Sequence, residues 1–318
     1  MKVLHLNNSD PVGVNWILHQ ELKKLGIESR HVIFRKSGIH RQQQGTDIIA
    51  EDNMEEFKRL LDWADIYHID GDINCDLIDL RPYLAKKKFI FHNHGGYNLL
   101  YPEYQYAGIK ACRDNFPYVV CSPLTKLIIP NAIWIPNIVH IKEQIYLPIE
   151  RDFFSKLMIC HKVFSLQSRL YKGSDIIDEM VNNFLGKVWQ FNLVLDIFYN
   201  MTIFEVLNKT AHYHICIDNL TQGFCGMSGW ESLSKGQVVI ARLDPVVQKA
   251  YNEFGPNCPI INVSGMDEMC KVIRELYNDR EYLKSKCEES RKWMEKYYTP
   301  SRIAKMYLKL YEKTLEEE

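Results

Sequence analysis

Along this chain, short, mostly apolar runs keep giving way to longer stretches in which apolar residues recur every three or four positions. Residues 3–7 form the first run, too brief for an amphipathic helix, and predict a strand. A loop with Pro11 and Gly13 follows. Trp16, Ile17, Leu18, Leu22 and Leu25 then keep helical spacing up to Gly26, a natural stop. Residues 29–34 predict the next strand, and strand, loop, helix, strand is the unit of a parallel sheet. The unit recurs, with helical periodicity over 53–63 and strands over 66–69, 87–92, 118–121 and 133–135. About five strands alternating with helices imply a doubly wound sheet ending near Asn137.

Residues 141–160 carry the weakest pattern and read as a linker. A second series follows: strand 162–165, a loop with Arg169 and Lys172, helix 175–184, strand 190–197, helix 202–210, strand 214–217, helix 229–235, and strands 238–241 and 259–263. Beyond it the chain predicts helix, with Met269, Val272, Ile273, Leu276 and Tyr277 on one apolar face and a final helix opening near Pro300. The expected domains are therefore 1–140 and 161–299, joined by 141–160 and followed by 300–318. Two doubly wound halves present two sets of strand carboxyl ends, where ligands bind; facing each other they form an interdomain cleft.

Composition narrows the field. The chain has 318 residues, 46% hydrophobic and 25% charged, with a formal net charge of −1. The length suits two domains of about 150 residues each. The near-neutral balance gives no electrostatic reason to expect nucleic acid or an anionic membrane as the main partner. The apolar stretch 126–139 holds Pro130 and Pro136 and falls short of the roughly 20 residues that span a bilayer. The opening residues lack the charged start and long apolar centre of a secretion signal. Nine cysteines, at 75, 112, 121, 160, 216, 225, 258, 270 and 287, stand without a C-x-x-C pair. Reduced, buried thiols in a cytoplasmic protein are expected rather than disulfides or zinc. Peripheral membrane association through surface residues is compatible with these features.

Two stretches carry candidate chemistry. Over 214–241 an apolar strand ends at Asp218, a loop holds Gln222, Gly223, Gly226, Met227 and Ser228, and a short helix from Gly229 carries Glu231. The glycines let backbone approach a ligand, and the helix start offers N–H groups and a positive dipole end to a phosphate. Glu231 could accept hydrogen bonds from a ribose diol. The same residues also make an ordinary strand-to-helix turn with an acid that suits the dipole. Over 163–180 a strand is followed by Arg169, Lys172 and Gly173, then a helix capped by Ser174 or Asp175. Two cations beyond a strand end can neutralise a diphosphate, Arg by bidentate contact and Lys as a point charge. A solvated basic loop is the plain alternative.

Together these stretches resemble the retaining GT-B glycosyltransferases of family 4, the "glycosyl transferases group 1" type. Arg169-Leu170-Tyr171-Lys172-Gly173 looks like a shortened R-x-x-x-K-G motif, and Gly223-Phe224-Cys225-Gly226 through Glu231, Gly236 and 238–241 is similar to the family's glycine loop, glutamate helix and following strand. Phe91-His92-Asn93-His94-Gly95-Gly96 looks like its H-G-S/T-D segment, with His94 at the histidine position, and Pro136-Asn137 resembles the P-N that closes the first domain. The resemblance covers most of the chain. It implies two Rossmann-like doubly wound domains facing a cleft, and a last helix, 300–318, returning to the acceptor-binding first domain. It also implies transfer from a nucleoside diphosphate sugar to a sugar, lipid-linked or protein acceptor. Diphosphate contacts would come from Arg169 and Lys172, ribose contacts from Glu231, and contact with the transferred sugar from His94. No metal or other cofactor is expected; the sugar nucleotide is a co-substrate.

The chain also departs from the family. Where the family has the first of two glutamates, by the donor sugar, this sequence has Gln222 or Asp218, with a loop one residue longer. A Gly-Gly pair near the N-terminus is reduced to Gly13, and Tyr97 replaces an aspartate. Two alternatives follow: a catalytically degraded nucleotide-sugar-binding protein, or a GT-B-type sugar-nucleotide epimerase. Asp70-Gly71-Asp72 matches a metal-binding D-x-D pattern but reads as a polar loop, and His92 with His94 lacks further ligands. There is no G-x-S-x-G elbow and no P-loop.

Overall fold

The computed structural model describes residues 1–8, 10, 13–35, 45–70, 77–93, 117–127, 129–163, 166–183 and 192–317. The chain divides into two compact units, Met1–Ile138 with Pro300–Glu318, and Val139–Thr299. In the first, strands β1 (Lys2–Asn7), β2 (Glu28–Ile33), β3 (Ile48–Ile49), β4 (Ile66–Asp70), β5 (Lys88–Asn93), β6 (Tyr118–Val120) and β7 (Ile133–Trp134) form one parallel sheet. Its order is β3-β2-β1-β4-β5-β6-β7, a doubly wound arrangement that reverses direction between β1 and β4. β1 is buried along nearly its whole length because neighbours cover both its edges and both its faces.

Helices α1 (Val14–Lys24), α2 (Met54–Trp63) and the short α3 (Arg81–Leu84) connect these strands. The Asn53 side chain caps α2 by accepting from the Glu56 N–H, and Phe57, Leu60 and Leu61 bury its apolar face. That face joins Leu4, Leu6, Val32, Tyr67 and Ile69 in one core.

The second unit has five parallel strands: β8 (Leu157–Lys162), β9 (Leu193–Phe198), β10 (Ile215–Ile217), β11 (Val238–Ala241) and β12 (Ile261–Asn262). Their order is β12-β11-β10-β8-β9. Helices α4 (Leu166–Lys172), α5 (Ser174–Asn183), α6 (Ile203–Lys209), α7 (Met227–Ser234), α8 (Pro245–Phe254), α9 (Met266–Asn278) and α10 (Arg280–Tyr297) complete the series. Leu157, Ile159, Ile215, Ile217, Val238 and Ile240 form the core with Met269, Ile273 and Leu276 of α9. Helix α11 (Pro300–Glu316) belongs to the first unit, where the Tyr311 hydroxyl lies 2.6 Å from His68 Nδ1. No helix among the described residues is long and apolar enough to cross a membrane.

Three expectations need correction. The second unit's first strand is Leu157–Lys162, so the stretch assigned to a linker supplies its first four residues. A strand buried on both faces shows no alternation to betray it. Arg169 and Lys172 lie on helix α4, not on a loop. Helix α8 went unread, although Asp244 caps it by accepting from the Val246 N–H and Pro245 opens it.

Candidate donor site at the switch point of the second sheet

The second sheet reverses its winding between β8 and β10, and in open α/β sheets ligands bind outside the carboxyl ends of strands at such a point. In register, Ile217 pairs with His161. The next residues, Lys162 at the end of β8 and Asp218 just after β10, therefore flank the switch point. His161 fastens this edge. Its Nδ1 lies 2.8 Å from the Ile217 carbonyl and its Nε2 2.8 Å from Ser174 Oγ. Only a proton on Nδ1 can donate to the carbonyl, which leaves Nε2 to accept from the serine.

Asp218 is fully buried and its carboxylate is fully engaged. Oδ1 accepts from Lys172 Nζ at 2.8 Å and from Ser228 Oγ at 2.6 Å; Oδ2 accepts from the Gly226 N–H at 2.5 Å. Lys172 also donates to Ser228 Oγ. Burial alone would push the Asp218 pKa up. The Lys172 ammonium outweighs it, with the hydrogen bonds from Lys172, Ser228 and Gly226, and holds the group at about 2. An anion thus already sits at the N-terminus of α7, where the dipole favours one.

This carboxylate also explains two of the glycines. A Cβ on Gly229 would lie 2.3 Å from Cys225 Sγ and 3.1 Å from Asp218 Oδ2, and one on Gly226 would lie 3.3 Å from the same oxygen. The close approach expected of a ligand is here made by Asp218. Gly173 is different in kind: its φ is +74°, and a Cβ would meet that of Leu220 at 2.9 Å. It lets the α4–α5 corner turn while the Leu220 N–H donates to the Lys172 carbonyl. Gly173→Ala is expected to lower stability by about 1–2 kcal/mol, read as a drop in the urea midpoint; an unchanged midpoint would contradict this role.

Glu231 lies one turn along α7 from Ser228, on the same side of the helix. Its Oε2 is 3.9 Å from Lys162 Nζ, and both side chains are only 4% exposed. Burial alone would lower the Lys162 pKa. The Cys216 sulfur, the Glu231 carboxylate, the Cys160 sulfur and the Asp218 carboxylate more than offset this and raise it, so Lys162 is charged. Lys162 is absent from the candidates named from sequence: it opens the strand expected over 162–165, where a lysine looks like a solvated strand end.

The remaining candidates are spread more widely. Arg169 Nη2 bonds Asp178 Oδ2 at 2.5 Å on the half-exposed side of α4. Gln222 Oε1 accepts from Asn219 Nδ2 at 2.8 Å, and the Gln222 N–H donates back to Asn219 Oδ1. The Gly223 carbonyl accepts from the Asp244 N–H, and Met227 opens α7, half-buried. Gly13 belongs to the first unit, where it precedes α1 with φ +68°. His94 and residues 71 and 72 lie outside the described residues. Asp70 ends β4 and accepts from Asn7 Nδ2 at 2.6 Å, while the His92 ring packs against His68 and Tyr307.

No protein-family model and no curated protein matches this sequence. Solved structures do match over nearly the whole chain. Sucrose-phosphate synthase from Thermosynechococcus elongatus is 13% identical, with 98% of this chain and 99% of the synthase covered at a TM-score of 0.65. HepE from Anabaena, in complex with UDP and glucose, is 11% identical over 98% of this chain and 99% of its own, with a TM-score of 0.66. The catalytic domain of starch synthase IV from Arabidopsis thaliana, bound to ADP and acarbose, is 11% identical, with full coverage of both chains and a TM-score of 0.61. The fold is the GT-B fold of glycosyltransferases, built from two Rossmann-like units.

Proposed function

We propose that this protein is a glycosyltransferase that moves a sugar from a nucleoside diphosphate sugar to an acceptor, with retention at the anomeric carbon and without a metal ion. The observation that carries this reading is the convergence of Lys172, Ser228, the α7 N-terminus and Glu231 at the switch point of the second sheet. In this reading the donor diphosphate lies against Lys172 and Arg169, and its ribose reaches Glu231. Gly223, Gly226, Met227 and Ser228 line its path, and, as the resemblance implies, Gly13 lies near the acceptor and His94 contacts the transferred sugar. UDP in the Anabaena structure and ADP in the starch synthase make a nucleotide the natural first ligand to try. The two cations would offset charge growing on the departing diphosphate, the electrostatic contribution that commonly dominates such catalysis.

Arg169 offers the cleaner test. Its partner Asp178 is half-exposed, so Arg169→Ala should cost no more than about 1 kcal/mol of stability. A panel of UDP, GDP and ADP with their sugars should raise the wild-type melting temperature for one base only. Arg169→Ala should then weaken that nucleotide by roughly tenfold to a hundredfold. No stabilisation by any member of the panel would sink the assignment.

One observation favours a second reading, a nucleotide-binding protein that no longer transfers. Gln222 or Asp218 stands where the resembled family has its first glutamate; the Gln222 amide is engaged with Asn219, and the Asp218 carboxylate with Lys172. Donor turnover by purified protein that binds nucleotide would exclude it.

A further inference from the structure

We propose that Lys162 is a nucleotide-site residue: its ammonium and the Glu231 carboxylate bind one hydroxyl of the ligand's ribose between them, so that the site selects ribonucleotides. This inference rests on the nucleotide-binding reading above and adds to it a residue and a selectivity.

Lys162 closes β8 at the switch point. Its Nζ is buried and has no hydrogen-bond partner among the described residues. Buried ammonium groups are rarely left so, because nearby negative charge compensates the ammonium's charge but not the hydrogen bonds to water that its three donors give up. A methionine would fill the same space without that penalty. Lys172 shows the contrast, since its ammonium is engaged by both Asp218 and Ser228. The 3.9 Å between Lys162 Nζ and Glu231 Oε2 is too long for a hydrogen bond. A single oxygen about 2.8 Å from each group can still bridge them.

The chemistry of the pair selects that oxygen. A phosphate would be repelled by Glu231, and a carbonyl could not donate to it. A hydroxyl donates to the carboxylate and accepts from the ammonium at once. Ser228 and Glu231 are separated by about 4.5 Å along the α7 axis. A ligand with its diphosphate at Lys172 and Ser228 therefore reaches the Lys162–Glu231 pair with the next polar group along, which in a nucleoside diphosphate is the ribose.

The test uses the nucleoside diphosphate that most stabilises the wild type, its 2′,3′-dideoxy analogue, and titration calorimetry. Wild type is expected to bind the dideoxy compound roughly tenfold to a hundredfold more weakly. In Lys162→Met that ratio should fall to about threefold or less, with the diphosphate contribution retained. A folded Lys162→Met protein that keeps the wild-type ratio overturns the proposal. If that variant does not fold, a crystal structure of the wild-type complex decides. A ribose oxygen within about 3.2 Å of both Nζ and a Glu231 oxygen supports the proposal, and a ribose placed away from Lys162 overturns it. Equal wild-type binding of the two compounds removes this inference alone. Failure to bind any nucleoside diphosphate removes the functional reading and this inference with it.

Discussion

Acidification from pH 7 to pH 4 is expected to remove most of the first unit's stability. His5, His19 and His31 are fully buried, with ring centroids 6.3 to 6.4 Å apart, and His68 lies 4.9 Å from His5. Neither ring nitrogen of His5 or of His31 has a hydrogen-bond partner among the described residues. Burial pushes the His5 pKa well below 6.5, helped by His68, His19 and His31. Burial and His19 take His31 to about 3. Burial takes His19 to about 4; Asp47, 3.4 Å away, opposes this, while Lys23 and Arg30 add to it. Asp10 lies 3.6 Å from His31 and accepts from the Trp16 N–H.

These folded pKa values lie below the unfolded value of about 6.5, so the unfolded chain binds protons first as the pH falls. Stability is intact above pH 7 and declines from 6.5 toward the folded values. Each histidine contributes up to about 1.4 kcal/mol per pH unit in that window, and three together roughly 4 kcal/mol per unit. Over two units that is roughly 8 kcal/mol, most of the stability of a domain near the middle of the usual range of about 5–15 kcal/mol. Trp16, 5.2 Å from the His19 ring and 5.9 Å from that of His31, reports the change by its fluorescence. Urea midpoints followed there should fall steeply between pH 6.5 and 5, and His5→Leu should flatten the slope by about a third. A midpoint that does not move over this range would rule the mechanism out.

That cluster was invisible to pattern reading, although its strands were not. A histidine in a strand such as residues 3–7 scores as a polar interruption, and nothing in one dimension says that His5 pairs in register with His31 and His68. Parallel pairing brings together residues tens of positions apart. The helices and strands themselves were legible because apolar spacing is local: α1, α2, β4 and β11 fall within a residue or two of expectation. β8 was expected over 162–165 and lies at Leu157–Lys162, because it lacks alternation to mark its start, and α8 was missed because its capping signal is confined to Asp244 and Pro245. In the candidate site, Lys172, Ser228 and Glu231 could be named from motif spacing. That Asp218 would hold Lys172, and that Lys162 would face Glu231, depends on sheet order β10-β8, which spacing alone cannot supply.

The Lys172–Asp218 pair changes how the site must be tested. Removing one partner of a buried ion pair leaves the other uncompensated, at a cost of roughly 3–5 kcal/mol. Lys172→Met is therefore expected to destabilise the second unit by about that amount, since Asp218 is fully buried, and Asp218→Asn by a similar one. The Asp218 contribution is present above pH 4, the range of an unfolded carboxylate, and is lost only as the pH falls toward its folded value of about 2. Acid lability of this pair is thus separate from that of the histidines. Lost activity in Lys172→Met would not by itself reveal a phosphate ligand, because a loosened α4 and α7 would give the same result. The double variant Lys172→Met/Asp218→Asn removes both charges and should recover much of the lost stability, a coupling visible in a double-mutant cycle of urea midpoints. If Lys172 binds the diphosphate, the recovered double variant still binds nucleotide at least tenfold more weakly than wild type, by roughly the worth of one charged hydrogen bond. If it binds as wild type does, Lys172 is a structural partner of Asp218, and the diphosphate must be held by Arg169 and the α7 N-terminus instead.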